Sequence, residues 1–124
     1  MKSVASCTVV ALVGDGSAMY TCQALWTAAH DRIAVVFVIL NNSSYRILKQ
    51  RLHAQRGLAA QVDRFVGMEL LEPAIDYVGL ARSLGIAAER AKTVHDTTDL
   101  IAQGIKSNAP LLIDVPMDRN YKPV

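Results

Sequence analysis

Residues Cys7–Ser17 read Cys-Thr-Val-Val-Ala-Leu-Val-Gly-Asp-Gly-Ser, and Ala34–Asn42 read Ala-Val-Val-Phe-Val-Ile-Leu-Asn-Asn. Each is an apolar, largely β-branched run that ends abruptly in polar residues. Runs of this kind predict strands buried on both faces, Cys7–Val13 and Ala34–Leu40, as in a parallel sheet. Between them a helix is expected from Ser17 or Ala18, with Ser17 as candidate N-cap. Met19, Cys22, Leu25, Trp26 and Ala29 recur there at three- and four-residue spacing and form its expected buried stripe. Strand, helix and strand make a βαβ unit, right-handed by strong default. Asp15 and Asn42 then both emerge at the carboxyl edge of the sheet, where open α/β sheets bind ligands.

The chemistry of that edge follows from its residue types. Magnesium takes near-octahedral oxygen ligands, keeps some water, and is often held by one or two protein oxygens plus substrate phosphates. Asp15 offers a charged oxygen, Asn42 a neutral one, and a main-chain carbonyl just after Asn42 a third. Gly16 lets a phosphate approach the backbone, and Ser17 lies where helix amides are unpaired. A diphosphate bridged by the metal satisfies all these groups together. The plainer alternatives are an ordinary turn aspartate with a helix-start asparagine, or another phosphate ligand such as a nucleotide. Neither a Walker-type Gly-x-x-x-x-Gly-Lys-Ser/Thr stretch nor a Gly-x-Gly-x-x-Gly fingerprint is present.

Outward from this unit, Ser43 and Ser44 are candidate caps for a helix over Tyr45–His53, with Tyr45, Leu48 and Leu52 inward. Residues 54–74 hold no sustained period and form a long connection. Asp76 caps a third helix that turns Tyr77, Leu80 and Leu84 inward and stops at Gly85. A weak strand follows at Ala87–Ala91. Asp96-Thr97-Thr98-Asp99 resembles a capping box and opens a helix to Ser107, using Leu100, Ile101 and Ile105. Gly104 inside it costs ~1 kcal/mol relative to alanine. Pro110 introduces a last strand, Leu111–Val115, which Pro116 ends. The tail 117–124 is polar and expected to be mobile or docked on a partner.

Composition narrows the class. The 124 residues are 52% hydrophobic and 19% charged, enough apolar content for one α/β domain with a core. A net charge of +2 is too small to imply nucleic acid. The basic run Arg46, Lys49, Arg51, Arg56 and Arg64 reads as a solvated surface, since no aromatic residues interleave with it. His30, His53 and His95 likewise read as solvated, and Met19 and Trp26 as core. Cys7 and Cys22 lack metal-type spacing and read as buried small hydrophobes in a reducing compartment. Neither a membrane span nor a secretion signal is expected, which predicts a cytoplasmic protein. With so little chain before the first strand, the domain is expected to be a piece of something larger, with exposed strand edges that favour homo-oligomers.

Gly14-Asp15-Gly16, separated by a helix and a strand from Asn41-Asn42, resembles the signature of thiamine diphosphate-dependent enzymes. The wording of Gly14–Ala29, of Val38–Tyr45 and of Asp76–Gly85 is similar to the benzoylformate decarboxylase and acetolactate synthase-like branch. The resemblance covers nearly the whole chain from about residue 7 to 115. It implies a three-layer α/β sandwich with a mostly parallel sheet, a truncated C-terminal diphosphate-binding domain spanning residues 1–124. It implies thiamine diphosphate and magnesium as cofactors, the metal held by the side chains of Asp15 and Asn42 and the main-chain carbonyl of Ser44. Gly16, Ser17 and Tyr45 would touch the diphosphate, and Leu48 would wall a substrate pocket of benzoylformate decarboxylase type.

The resemblance assigns no catalytic residue to this chain. In the family a pyrimidine-binding domain supplies the glutamate that activates the cofactor, and an upstream segment props it in its bent shape. Both would have to come from a missing domain or a partner subunit, so the chain alone is expected to be inactive. The competing expectation is a binding or assembly module that keeps the fold and has lost the reaction.

Overall fold

Each of the four expected strands forms, and all four lie parallel in one sheet. In the computed structural model, which describes residues 7–56, 61 and 65–119, these are β1 (Val9–Gly14), β2 (Val35–Asn41), β3 (Ala87–Arg90) and β4 (Leu111–Pro116). Their spatial order is β1-β2-β4-β3. Val9 lies opposite Val35 and Gly14 opposite Leu40, while Asn41 lies opposite Pro116. That register brings the ends of β1, β2 and β4 to one edge. The helices are α1 (Asp15–Ala18), α2 (Gln23–His30), α3 (Arg46–Ala54), α4 (Tyr77–Ser83) and α5 (Val94–Ser107).

Alternation along the strands divides the core in two. Val35 and Ile39 of β2 and Leu112 of β4 pack with Leu25 and Ala28 of α2 and with Tyr77 and Ala81 of α4. On the opposite face Val36, Val38 and Ile113 meet Leu100 and Ile101 of α5. Helices on both sides of a parallel sheet give the expected three-layer α/β architecture.

Gly104 of α5 explains its own intrinsic cost. A Cβ there would lie 2.7 Å from Val36 Cγ2 and 2.9 Å from Leu111 Cδ2, so the glycine lets the helix settle close on the sheet. Gly104→Ala is therefore expected to destabilise the domain by about 1–3 kcal/mol through overpacking, despite its better helix propensity. A lowered urea midpoint with an unchanged slope would show it.

Local signals held where a side chain caps or a backbone angle stops an element. Asp76 accepts a hydrogen bond from Gly79 N at 3.0 Å as the N-cap of α4, and Gly85 takes φ +87° at its end. Tyr77 is buried, with Leu80 and Leu84 half-buried. The capping box of α5 lies three residues earlier than expected. Thr93 is the N-cap and accepts from Asp96 N, while Asp96 Oδ2 reaches back to Lys92 N. Both candidate boxes pair a polar residue with an acid three positions on, and threonine's non-helical φ of −140° selects the earlier one.

Several burial expectations are corrected. Strand β1 is an edge: Leu12 is 68% exposed, Val9 and Val10 are exposed, and so is Cys7 just before it. Among the described residues β1 has a neighbour on one side only, so an apolar run did not mean two covered faces. Helix α2 begins only at Gln23, after a turn that interrupts the path from α1, and this resets its phase. Leu25 and Ala28 bury, whereas Met19 and Trp26 are 38% and 53% exposed. Trp26 instead stacks on His30, one turn on, with ring centroids 4.7 Å apart. Cys22 is half-buried and free.

Ser17 lies inside α1 rather than capping a helix, and Gly14 takes the N-cap position. Helix α3 buries none of its residues; its N-cap is Tyr45, and neither Ser43 nor Ser44 caps it. The basic run and the histidines are less uniformly solvated than expected, because Lys49 pairs with Glu69 and His53 is half-buried beside Phe65. Residues 57–60 and 62–64 of the 54–74 connection, Arg64 among them, and the tail from 120 onward fall outside the described residues.

Candidate functional site

The carboxyl edge of the sheet collects the polar residues that interrupt the apolar runs. Asp15 directly follows β1 and is 3% exposed; Asn42 directly follows β2. Ser44 N donates to Asp15 Oδ2 at 3.2 Å and to Asn42 Oδ1 at 3.0 Å. One backbone amide thus joins two side chains that are far apart in sequence, and their oxygens converge at a single point.

The loop that carries Asn42 and Ser44 is held from several directions. Ser44 Oγ donates to Met68 O at 3.1 Å, Tyr45 N to Met68 O at 2.9 Å, and Leu70 N to Ser43 O at 2.8 Å. Met117 N donates to Asn41 O at 2.7 Å, tying the chain after β4 to the end of β2. Beneath the other side of the site, the Tyr77 hydroxyl donates to the main-chain oxygen of Asp15 at 2.8 Å. Burial, then the nearby carboxylates of Asp15 and Asp114, pushes its pKa upward, so the phenol stays a neutral donor.

Gly16 is buried against the ring of Tyr45. A Cβ on Gly16 would lie 2.7 Å from Tyr45 Cδ1, closer than real Cβ atoms come. The missing side chain therefore lets the aromatic ring close over the loop. Ser17 is exposed beside them. Helix α1 has only four residues, so any attraction for an anion comes from individual amides rather than from a summed helix dipole.

These groups line one groove of about 470 Å³. Asp15, Gly16, Ser17, Asn42, Ser44 and Tyr45 all border it, and Leu48, 45% exposed, borders it from α3. The structure thus brings every candidate site residue to one place. It also adds Tyr20, Arg46, Ile47 and Met117, which carry no motif and reach the groove through the fold.

Two more residues support the site: Asp114, which went unread in the sequence, and Asn41, read there only as part of the Asn41-Asn42 pair. Asp114 is the only charge in Leu111–Pro116, a strand whose other residues are apolar. A carboxylate in a buried strand signals a partner, since unpaired burial of a charge is prohibitively costly. Its partners are Arg90, whose Nε lies 3.2 Å away, and Asn41, the first asparagine of the pair, through a 3.0 Å hydrogen bond.

Chemically, the converging side-chain oxygens belong to a carboxylate and a carboxamide, hard ligands suited to magnesium or calcium rather than to softer metals. Among the described residues no three His, Cys, Asp or Glu side chains cluster as a self-sufficient metal cage. Such a poor protein donor set fits an ion whose remaining ligands are water and phosphate. No described helix is long and apolar enough to cross a membrane.

Residues 2–115 match the family model described as thiamine pyrophosphate enzyme, C-terminal TPP binding domain. The benzoylformate decarboxylase of Pseudomonas aeruginosa is 32% identical over 108 residues, covering 87% of this chain and 19% of that protein. The acetolactate synthase of Bacillus subtilis is 28% identical over 110 residues, covering 89% and 18%. Among solved structures, the thiamine diphosphate-dependent 4-hydroxybenzoylformate decarboxylase of Rhodococcus jostii RHA1 is similar with a TM-score of 0.82 and 33% identity, over 93% of this chain and 20% of that one. The chain spans about a fifth of the length of these relatives.

Proposed function

Because this chain belongs to the thiamine pyrophosphate enzyme family, as its C-terminal TPP-binding domain, we propose that the groove at the carboxyl edge of the sheet holds the diphosphate of thiamine diphosphate through magnesium. The residues for the metal are Asp15, Asn42 and the main-chain carbonyl of Ser44. The observation that carries this reading is the shared Ser44 amide, which sets the Asp15 and Asn42 oxygens against one another. Gly16, Ser17 and Tyr45 border the space for the phosphates, with Gly16 leaving its backbone open to close approach.

Each residue has a distinct task in this reading. Asp15 supplies the negative charge that attracts the cation; the Tyr77 hydroxyl fixes its main-chain oxygen and the Ser44 amide its carboxylate. Asn42 adds a neutral oxygen without adding to the repulsion felt by a diphosphate. Arg46, on the groove wall, offsets the anionic charge that one divalent ion leaves uncancelled. When bound, thiamine diphosphate supplies the carbanion chemistry, and the protein binds and orients it.

The activity of the whole protein is part of the proposal: a lyase or transferase acting on a 2-oxo acid, of benzoylformate decarboxylase or acetolactate synthase type. Leu48 gives the groove an apolar wall suited to an organic side chain rather than to a charged one. A further domain or partner subunit would complete the reaction site. Oligomer formation would bury the apolar side chains that β1 exposes.

Calorimetric titration of the chain with thiamine diphosphate tests the reading. Binding is expected in millimolar magnesium and is expected to vanish with a chelator. At a ligand concentration 100 times Kd, binding is also expected to stabilise the fold by about 2.7 kcal/mol, read as a raised Tm. Binding of equal strength without divalent metal would overturn the magnesium reading. Absence of binding under any metal condition would favour an assembly module that keeps only the fold.

A further inference from the structure

Asp114 is buried to 2% exposure and lies outside the residues assigned to the metal. Its Oδ1 accepts Asn41 Nδ2 at 3.0 Å, and its Oδ2 faces Arg90 Nε at 3.2 Å. Asn41, also buried, uses its Oδ1 to accept both Ser43 N at 3.1 Å and Ser43 Oγ at 3.2 Å. A single polar chain therefore runs from β3 through β4 to the end of β2 and into the loop beyond it.

Its end point is a strained residue. Ser43 has φ +55°, a left-handed conformation that serine rarely takes without help. Two hydrogen bonds donated by Ser43 to one asparagine oxygen hold that turn. The turn in time sends Ser44 N back toward Asp15 Oδ2 and Asn42 Oδ1.

We infer that Asn41 and Asp114 are positioning residues for the cation-binding loop, acting through the Ser43 turn. An ionised carboxylate only accepts hydrogen bonds, so Asp114 compels the NH2 side of the Asn41 amide to face it. The amide oxygen is then left for Ser43, and the loop has one conformation. Arg90 balances the buried charge from the far side. Partners of this kind, one shell removed from a metal's ligands, tune affinity without touching the ion. The inference rests on the magnesium reading of Asp15, Asn42 and Ser44 for its effect on binding, but its structural claim can be measured without any ligand.

The test uses Asn41→Asp, Asp114→Asn and the swap that combines them. Asn41→Asp sets two carboxylates against each other, whereas the swap restores one donor and one acceptor with their places exchanged. Two readouts are taken: amide hydrogen exchange by NMR without ligand, and the magnesium concentration that half-saturates thiamine diphosphate binding. In Asn41→Asp the Ser43 and Ser44 amides are expected to exchange at least about 10-fold faster, and half-saturation to need at least about 10-fold more magnesium. The central β2 amides of Val38 and Ile39 are expected to keep their protection, and the swap to recover both properties. Should Asn41→Asp not fold, Asn41→Ala removes the Ser43 acceptor without adding charge and carries the same expectations. Unchanged exchange at Ser43 and Ser44, or a swap that restores nothing, overturns the inference. The expected exchange pattern in a chain that binds no magnesium supports the positioning role and overturns the metal reading alone.

Discussion

Asp15→Ala is expected to weaken magnesium-dependent binding of thiamine diphosphate on the order of 100-fold or more, because partners that merely support metal ligands cost about 10–100-fold when removed. Among the described residues Asp15 is the sole carboxylate bordering the groove, so its loss takes away the charge that draws the cation in. The fold should tolerate the change better than the site does. Ser44 N keeps Asn42 Oδ1 as an acceptor, and the Tyr77 hydroxyl bonds the main-chain oxygen of residue 15, which alanine retains. Loss of one hydrogen bond costs about 0.5–1.5 kcal/mol. Calorimetry and thermal unfolding on the same sample separate the two effects. Asp15→Asn, which keeps an oxygen but not the charge, should fall between wild type and Asp15→Ala. A variant with normal Tm and wild-type magnesium dependence would remove Asp15 from the metal site.

Gly16→Ala should have the second large effect, and for a steric reason. The added Cβ meets the Tyr45 ring at 2.7 Å from Cδ1, and Tyr45 joins the cation-binding loop to α3. Moving the ring displaces both. Overpacking of this sort costs about 1–3 kcal/mol, and the shifted loop should lose most of its ligand affinity. A double-mutant cycle identifies the cause. In a Tyr45→Ala background the cost of Gly16→Ala should fall below about 0.5 kcal/mol, the level of a substitution that touches nothing. In a Tyr45→Phe background it should persist, because the same ring carbons remain. Equal costs in all three backgrounds would place the effect of Gly16 in the backbone rather than in the ring contact.

Much of the fold and of the site was legible in the residues. Apolar runs that are continuous rather than alternating marked parallel strands, and the βαβ order fixed where Asp15 and Asn42 emerge. A polar side chain at a helix start and a glycine at positive φ are local devices, so Asp76 and Gly85 could be read without knowing their neighbours. Burial was less legible. Periodicity tells which residues share a face, but not whether anything covers that face. Strand β1 and helix α2 failed on this point: Leu12 sits on an edge strand and Trp26 on the outer side of a helix whose phase a turn had reset.

The sequence by itself determined the α/β class, the parallel order of the strands' chemistry, and the identity of the two residues that converge at the carboxyl edge. Those follow from local propensity and from the period of the backbone, which act within a few residues. Only the tertiary structure decided what the convergence depends on. Asp114 meets Asn41 because β4 inserts between β2 and β3, and Tyr77 reaches Asp15 from the start of α4, a helix seated on β3 and β4. Such contacts join residues more than sixty positions apart. Strand order sets them, and strand order comes from how faces of the whole domain find cover.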